Sequence, residues 1–256
     1  MFDPEVVARQ LYDARRTRVP IPPFGAGLNA RAGYRIQKEL VKLLLADGDR
    51  IVGHKVGLTS KPMQRLIGMD SPDYGPVLAS TVYTDGAEVS VSRFIQPKIE
   101  AEIVFVLGSP LRGPGVSVFD AARAVSGVAA AVEIVDSRVE DWKIGLADTI
   151  GDLASNGAVA TSSRLVPLSG LDTRLLGMVL TRNGELVDTA AGAAALGDPV
   201  LVVAWLANTL GELGVTLEPG HLIMTGALHA AVPMAAGDVF RAEFATLGSV
   251  TVRVVE

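Results

Sequence analysis

Two segments near the N-terminus show apolar residues at helical spacing. They cover residues 4–18 and 29–46, and their apolar positions are Val6, Val7, Leu11, Tyr12, Ile36, Leu40, Leu43 and Leu44. Asn29 can cap the second helix with its side-chain oxygen. Residues 19–27, between the two segments, contain three prolines and two glycines and are expected to be irregular. The pattern therefore predicts an N-terminal helical subdomain over residues 1–50.

After residue 50 the pattern changes to short runs rich in β-branched and apolar residues. The predicted strands are Ile51–Val56, Ile99–Leu107, Leu176–Thr181, Glu185–Thr189, His221–Thr225, Val239–Phe244 and Ser249–Val255. Asn183-Gly184 separates two of them, and this dipeptide tolerates the positive φ angles of a two-residue hairpin.

Two further helices are predicted to interrupt these strands. Val118–Val135 is rich in Ala and Val, and Asp198–Leu213 opens with Asp198 as N-cap and Pro199 in its first turn. Apolar residues cover most of the second helix, so it is expected to be fully buried. Many strands with few helices between them predict an α+β fold, with a mixed β-sheet or barrel-like core over residues 51–256.

Composition narrows the class of protein. The 256 residues include no cysteine, and 23 Lys and Arg against 28 Asp and Glu give a net charge of −5. Without clustered basic residues, nucleic-acid binding is not expected. The chain contains no run of 18 apolar residues and so no predicted membrane span. The expectation is a soluble cytoplasmic protein. The lack of cysteine excludes disulfides, thiol nucleophiles and cysteine-ligated metals.

The segment Pro97–Leu107 carries the most informative acidic residues. In a strand, Glu100 and Glu102 project from the same face, roughly 7 Å apart at their Cα atoms. Their neighbours on both faces are largely apolar, so two ionised carboxylates there would repel each other and lose solvation. A bound cation or raised pKa values would relieve this. The alternative is a solvent-facing strand end with two ordinary glutamates.

Glu133 lies in a second apolar run, between Val132 and Ile134, where an unpaired charge is unfavourable. If it joins Glu100 and Glu102, three oxygen ligands converge. All-oxygen coordination favours a hard ion such as Mg²⁺ or Mn²⁺.

Two other charged residues are candidates for catalysis. Lys55 lies in a β-like run between Gly53 and Gly57. A buried lysine there would either transfer protons at a lowered pKa or stay charged beside carboxylates, and the alternative is a surface lysine on an edge strand. Asp73 lies in Ser71–Gly75, a turn by composition, and is either a turn residue or a general base.

Two loops offer candidate substrate contacts. Ser155 and Asn156 would donate hydrogen bonds to a ligand carboxylate, or merely cap a turn. Thr225 and Gly226 end a strand in a glycine-containing loop suited to close ligand contact.

Taken together, these segments resemble the 2-keto-4-pentenoate hydratase and 4-oxalocrotonate decarboxylase family of the fumarylacetoacetate hydrolase superfamily. The motifs, in order, are Gly53-His-Lys-Val-Gly57, Ser71-Pro-Asp-Tyr-Gly75, Ile99-Glu-Ala-Glu-Ile103, Glu133-Ile-Val-Asp-Ser-Arg138, Asp141-Trp-Lys-Ile144 and Thr225-Gly-Ala-Leu228. Each motif is weak alone, but six in order across almost the whole chain are specific. One departure is Leu153, where relatives usually carry Asn.

The resemblance implies a β-roll-like core with N-terminal helices. It implies a Mg²⁺ or Mn²⁺ ion held by Glu100, Glu102 and Glu133, with Lys55 and Asp73 close to a small 2-oxo or 2-hydroxydienoic acid. It also implies a homo-oligomer, a pentamer or decamer.

The two activities within the family are harder to separate. Pro72-Asp-Tyr-Gly75, Asp141-Trp-Lys-Ile144 and Gly226-Ala-Leu228 resemble hydratases, whereas Pro97–Ile103, Leu111–Gly115 and Gly192–Gly197 resemble decarboxylases. Among these motifs, the one with Asp73 is the strongest indication, because Asp73 is the candidate for proton transfer. The expected activity is therefore that of the hydratase. The expected enzyme is a lyase that hydrates 2-hydroxypenta-2,4-dienoate to 4-hydroxy-2-oxopentanoate in the meta-cleavage degradation of aromatic compounds.

The sequence leaves three alternatives open. The same site would serve a 4-oxalocrotonate decarboxylase or an acylpyruvate hydrolase. The third alternative is a non-catalytic partner subunit stabilised by its ion. A hydratase of this kind would also be a candidate for a complex with a decarboxylase of the same pathway.

Overall fold

The computed structural model describes residues 2–25, 27–60, 64 and 71–256. Its α-helices in these residues are α1 (Pro4–Thr17), α2 (Ala30–Ala46), α3 (Val118–Ala124), α4 (Leu146–Gly151) and α5 (Pro199–Glu212). The strands are β1 (Ile51–Gly57), β2 (Asp73–Leu78), β3 (Val82–Thr84), β4 (Ala87–Ser90), β5 (Lys98–Leu107), β6 (Val125–Val135), β7 (Asn156–Thr161), β8 (Gly177–Arg182), β9 (Glu185–Ala191), β10 (Leu222–Met224), β11 (Val232–Pro233), β12 (Val239–Phe244) and β13 (Gly248–Val255).

The strands form two mixed sheets. The larger has the order β2-β1-β10-β5-β6-β7-β3, with β11 also paired to β5, and the smaller has the order β4-β13-β12-β8-β9. Among the strands of the described residues, the parallel pairs are β1 with β10, β3 with β7 and β4 with β13. The predicted α+β fold with a mixed sheet is confirmed.

The main core contains apolar residues of both sheets together with α5. Phe105 and Val132 of the larger sheet share this core with Leu180 and Phe240 of the smaller one. Alternation along each strand brings these residues to one face. Asp198 caps α5 as predicted, accepting a hydrogen bond from the Val200 amide. Burial of α5 is extensive rather than complete, because Leu201 remains 42% exposed.

One segment that includes α5 resembles a membrane span by length and composition. This segment, Gly192–Glu212, has a mean hydropathy of 1.5 in its most apolar window, and half of that window is buried inside the protein. A core helix of this composition gives the same signal.

The N-terminal helices form a second apolar cluster with the body of the protein. Leu11 of α1 and Ile36 of α2 pack with Leu78 and Leu153. Asn29 caps α2, as predicted, by accepting a hydrogen bond from Ala32 N at 3.1 Å. The segment 19–27 is largely irregular, apart from a bridge at Ile21, and its residue Ala26 lies outside the described residues.

The helix predicted over Val118–Val135 is wrong beyond Ala124. Only α3 is helical, and the remainder is β6, which pairs with β5 on one side and β7 on the other. Ala130 lies in the main core, whereas Ala129 and Ala131 belong to a cluster on the opposite face. Small side chains suit a central strand that is packed on both faces, and this tertiary context overrides the helix propensity of alanine.

The turn predicted over Ser71–Gly75 is also wrong in part. Asp73 begins β2, which pairs antiparallel with β1 and sets Asp73 opposite Gly57. The composition of this segment favours a turn, but pairing with β1 holds residues 73–75 in an extended conformation.

The predicted hairpin is confirmed, since Asn183 and Gly184 join β8 to β9 with φ angles of 55° and 85°.

Candidate active site

Three glutamates converge on one face of the larger sheet. Glu100 and Glu102 lie on β5, and Glu133 on β6 lies directly opposite Glu100 in the antiparallel register. One carboxylate oxygen from each lies within 4.8 Å of the others. Glu102 and Glu133 are fully buried, and Glu100 is half-buried. The structure therefore brings together the three predicted ligands.

This arrangement is unfavourable for ionised carboxylates without a cation. Burial and repulsion by Glu133 raise the pKa of Glu100 to about 7. The same two causes raise the pKa of Glu102 well above its ordinary value. Like charges placed opposite each other across two strands destabilise a sheet. The cluster would thus be stabilised by protons or by a positive ion.

Each fully buried glutamate has one carboxylate oxygen that accepts a hydrogen bond and one that accepts none. The Asn156 side-chain amide donates to Glu133 Oε1 at 2.8 Å, and Gly226 N donates to Glu102 Oε2 at 2.9 Å. Glu102 Oε1 and Glu133 Oε2 have no hydrogen-bond partner. Buried carboxylate oxygens that accept no hydrogen bond, in an all-oxygen set, fit a hard divalent cation.

Lys55 is the buried cation beside this cluster. Its Nζ donates to the Ala154 carbonyl at 2.8 Å and lies 3.4 Å from Glu133 Oε2. Burial would lower the pKa of Lys55, but attraction by Glu133 and Asp73 raises it above its ordinary value. Of the two buried roles considered for Lys55, the charged state is the one this geometry favours.

An uncommon backbone path directs the Ala154 carbonyl towards Lys55. Leu153, Ala154 and Ser155 have φ angles of 58°, 53° and 57°, in the left-handed region that L-residues seldom occupy. The Leu153 side chain is buried among the N-terminal helices. Leu153 therefore anchors the loop through apolar packing.

Asp73 lies beside Lys55, and its side chain is almost completely buried. Its Oδ1 has no hydrogen-bond partner. Burial raises the pKa of Asp73, and the positive charge of Lys55 opposes that rise. Gly57 makes room for this carboxylate, because a Cβ at position 57 would lie 2.2 Å from Asp73 Oδ1.

The predicted loop residues separate into two groups. Ser155 lies on the wall of the cavity next to the glutamates. Asn156 donates a hydrogen bond to Glu133, and the Gly226 amide donates one to Glu102. The Thr225 hydroxyl donates to the Ile103 carbonyl at 2.9 Å. Substrate contact by these loop residues stays a prediction. The observed contacts of Asn156 and Gly226 indicate that they position the carboxylates.

A cavity of about 970 Å³ opens onto Glu100 and Glu102. Its charged lining residues in the described part of the chain are Lys55, Asp73, Lys98, Glu100 and Glu102. Most other lining side chains are apolar, including Leu58, Ile144 and Leu196. Sequence reasoning missed Lys98, although its position two residues before Glu100 places it on the same strand face.

His229 also lines the cavity, but both of its ring nitrogens contact backbone groups. Its Nε2 accepts a hydrogen bond from Ala101 N at 2.8 Å, and its Nδ1 lies 2.7 Å from the Ala230 carbonyl. These contacts fit a neutral imidazole that fastens the Ala227–Ala231 loop to β5.

The chain matches known proteins over nearly its whole length. Residues 53–255 match the family described as "Fumarylacetoacetate (FAA) hydrolase C-terminal". The chain belongs to the fumarylacetoacetate hydrolase family. This confirms the predicted superfamily.

Two similar relatives carry hydratase names. The chain is 41% identical over 244 residues to a TodF product hydratase from Pseudomonas putida, covering 94% of this chain and 91% of the relative. It is 41% identical over 249 residues to a 2-keto-4-pentenoate hydratase from Paraburkholderia xenovorans, covering 96% and 93%.

A solved structure carries the name of the other activity. It is a 4-oxalocrotonate decarboxylase from Pseudomonas putida G7 complexed with magnesium and adipate. The TM-score is 0.95 at 37% identity, with 98% of this chain and 97% of that chain covered. All three relatives are named as enzymes, which confirms the prediction of an enzyme of this family.

Proposed function

We propose that this protein is a metal-dependent hydratase that converts 2-hydroxypenta-2,4-dienoate to 4-hydroxy-2-oxopentanoate in the meta-cleavage degradation of aromatic compounds. The observation that carries the proposal is the cluster of Glu100, Glu102 and Glu133, next to a cavity that is lined by Glu100, Glu102, Lys55 and Asp73. The hydratase names of the two relatives at 41% identity support it.

Glu100, Glu102 and Glu133 would hold Mg²⁺ or Mn²⁺, because carboxylate oxygens suit both ions. When bound, such an ion would supply Lewis-acid stabilisation of a 2-oxo acid substrate. The related decarboxylase was solved with magnesium, which supports the choice of a divalent ion.

Asp73 is the candidate for proton transfer. Its Oδ1 lacks a hydrogen-bond partner, so this oxygen is free to take the proton of the substrate's 2-hydroxyl group. Delivery of a proton to C5 turns the dienol into an enone. Water then adds at C4, and a proton enters at C3, which completes the hydration.

Lys55 provides a fixed positive charge. Its contacts to Glu133 and to the Ala154 carbonyl hold the ammonium in place, so it offsets the carboxylates and orients the 2-oxygen or the water. Ser155, on the cavity wall, would donate a hydrogen bond to the substrate carboxylate.

A second candidate function is decarboxylation of 4-oxalocrotonate. The solved decarboxylase matches the chain with a TM-score of 0.95, so the same scaffold carries that name elsewhere. A homo-oligomer, a cytoplasmic location and a complex with a pathway decarboxylase also remain predictions.

The decisive experiment is ultraviolet monitoring of purified protein with the dienoate and with oxalocrotonate, with and without magnesium. We expect magnesium-dependent loss of the dienoate absorbance.

Glu100→Gln should abolish turnover with little change in circular dichroism. Gly177→Ala is the control and should retain turnover, because the site is exposed and no atom lies within 4 Å of the new Cβ. Unfolding of Glu100→Gln would instead indicate a structural ion. Near-full activity of Asp73→Asn would refute the role of Asp73.

A further inference from the structure

Lys98 is a second cation on the wall of the cavity. It begins β5 and lies on the same strand face as Glu100 and Glu102, at successive two-residue steps. Its Cα is therefore roughly 7 Å from that of Glu100. The side chain is half-buried and lines the cavity.

The Lys98 ammonium is held by an aromatic ring and not by a carboxylate. Its Nζ lies 4.3 Å from the centroid of the Trp142 ring. In the described part of the chain, no carboxylate lies within 4.0 Å of it, and it donates no hydrogen bond. Trp142 is itself fixed, since its Nε1 donates to the Gln96 carbonyl at 3.0 Å. The ring orients a charge whose N–H groups remain available.

The charges around the cavity explain why a second cation is useful. Three glutamates and Asp73 outnumber Lys55 and a divalent ion by one negative charge when all are ionised. An anionic substrate would be repelled by that excess. Lys98 brings the sum to zero and presents unpaired donors, which suit a carboxylate.

We propose that Lys98 binds a carboxylate of the substrate and that Trp142 is its positioning residue. The proposal rests on the proposed function, in which the substrate is a 2-oxo or 2-hydroxydienoic acid. The carboxylate is either the one at C1, which every such substrate has, or a second one at the far end of a dicarboxylic substrate. The chemistry at Lys98 is the same in both cases.

The test uses unreactive probes and measures binding. Isothermal titration calorimetry of magnesium-loaded protein would compare 2-oxopentanoate, with one carboxylate, and 2-oxoadipate, with two. Lys98→Met keeps the length of the side chain and removes the charge. Loss of a charged hydrogen bond predicts about 10-fold to 100-fold weaker binding. Weakening of both probes assigns Lys98 to the C1 carboxylate, and weakening of 2-oxoadipate alone assigns it to the far carboxylate.

Lys143→Met is the matched control. Lys143 is exposed, pairs with Asp141 at 2.9 Å and follows Trp142 directly, so its loss should leave both affinities unchanged. Magnesium affinity is measured first for each variant. If Lys98→Met binds both probes within about twofold of wild type, or if wild type binds neither, the proposal is overturned.

Trp142 is tested through rescue by a conservative variant. Trp142→Leu removes the ring face and should weaken binding of the probe that depends on Lys98, whereas Trp142→Phe should restore most of it. Equal affinity of Trp142→Leu and wild type would refute the positioning role. Because the probes do not react, a failure of hydratase activity would leave the result for Lys98 standing.

Discussion

At the scale of residues, the candidate site depends on space as much as on charge. Asp73 has room for its carboxylate because position 57 carries no Cβ. Gly57 does not adopt a positive φ, so its requirement comes from the close approach of Asp73 and not from backbone conformation.

Gly57→Ala should therefore reduce turnover by about 100-fold, because an added Cβ would push Asp73 away from its place beside Lys55. Magnesium affinity should change little, since neither residue belongs to the three glutamates. Steady-state kinetics and magnesium titration check this. Gly177→Ala is the control, and normal turnover of Gly57→Ala would contradict the role given to Asp73.

The glutamate cluster predicts how stability depends on pH when the metal is removed. The pKa of Glu100 is raised from 4.5 to about 7, so the folded state binds this proton more tightly than the unfolded state does. Its contribution to stability is complete below the unfolded value and is lost as pH rises through the folded value. The Tm of chelator-treated protein should thus fall as the pH rises from about 4.5 to about 7.

Magnesium should reverse that loss, because the cation replaces the proton. Glu100→Gln is the control, since it cannot titrate and should show a smaller fall. Thermal unfolding followed by circular dichroism measures both. An equal fall in Glu100→Gln and wild type would show that other groups control the pH dependence.

At the scale of elements, the sequence predicts those turns and helix ends that depend on contacts between neighbouring residues. The Asn183-Gly184 hairpin and the cap of α5 were both predicted, because the residues that carry the signal also make the contact. β6 was mistaken for a helix because its identity depends on pairing with β5 and β7, far away in sequence.

The candidate site divides in the same way. The alternation of β5 predicted that Glu100 and Glu102 share a face, and it would also have found Lys98. That Glu133 faces Glu100 follows from strand register, so the residue pattern alone leaves it open and only the family resemblance implies it. The contact of Lys55 with the Ala154 carbonyl could not be predicted, because every residue has a backbone carbonyl and the sequence does not indicate which one is used.

The cap of α5 gives a prediction at this scale. The Asp198 carboxylate accepts hydrogen bonds from Val200 N and from the Thr173 hydroxyl, both at 3.0 Å. Asp198→Ala should lower the free energy of unfolding by about 1 kcal/mol, measured by urea denaturation. Asp198→Asn keeps an acceptor and should lose less. Equal stability of Asp198→Ala and wild type would show that packing alone fixes this helix end.

At the scale of the whole molecule, the N-terminal helices are joined to the body by apolar and polar contacts. The Gln37 side chain donates to the carbonyls of Tyr74 and Ile150 at 2.9 and 2.8 Å. Arg15 donates to the Asn156 carbonyl at 3.2 Å, next to the amide that holds Glu133. The division into residues 1–50 and 51–256 remains a prediction, and these contacts bear on whether the second part folds alone.

A chain of residues 51–256 should fail to fold stably. Without the helices, Leu78 and Leu153 would be exposed and two buried carbonyls would lose their donor. We expect aggregation on expression, or loss of a cooperative thermal transition in circular dichroism. The full chain purified in parallel is the control. A soluble fragment with cooperative unfolding would establish residues 51–256 as an independent domain.

The left-handed path through Leu153, Ala154 and Ser155 has a consequence for mutational tolerance. The group that holds the Lys55 ammonium is the Ala154 peptide oxygen. Truncation of the Ala154 side chain to glycine would leave this oxygen in place, so a scan of side-chain deletions would not reveal this contact. Only a change that reroutes the main chain, such as a proline in this run, would reveal the dependence.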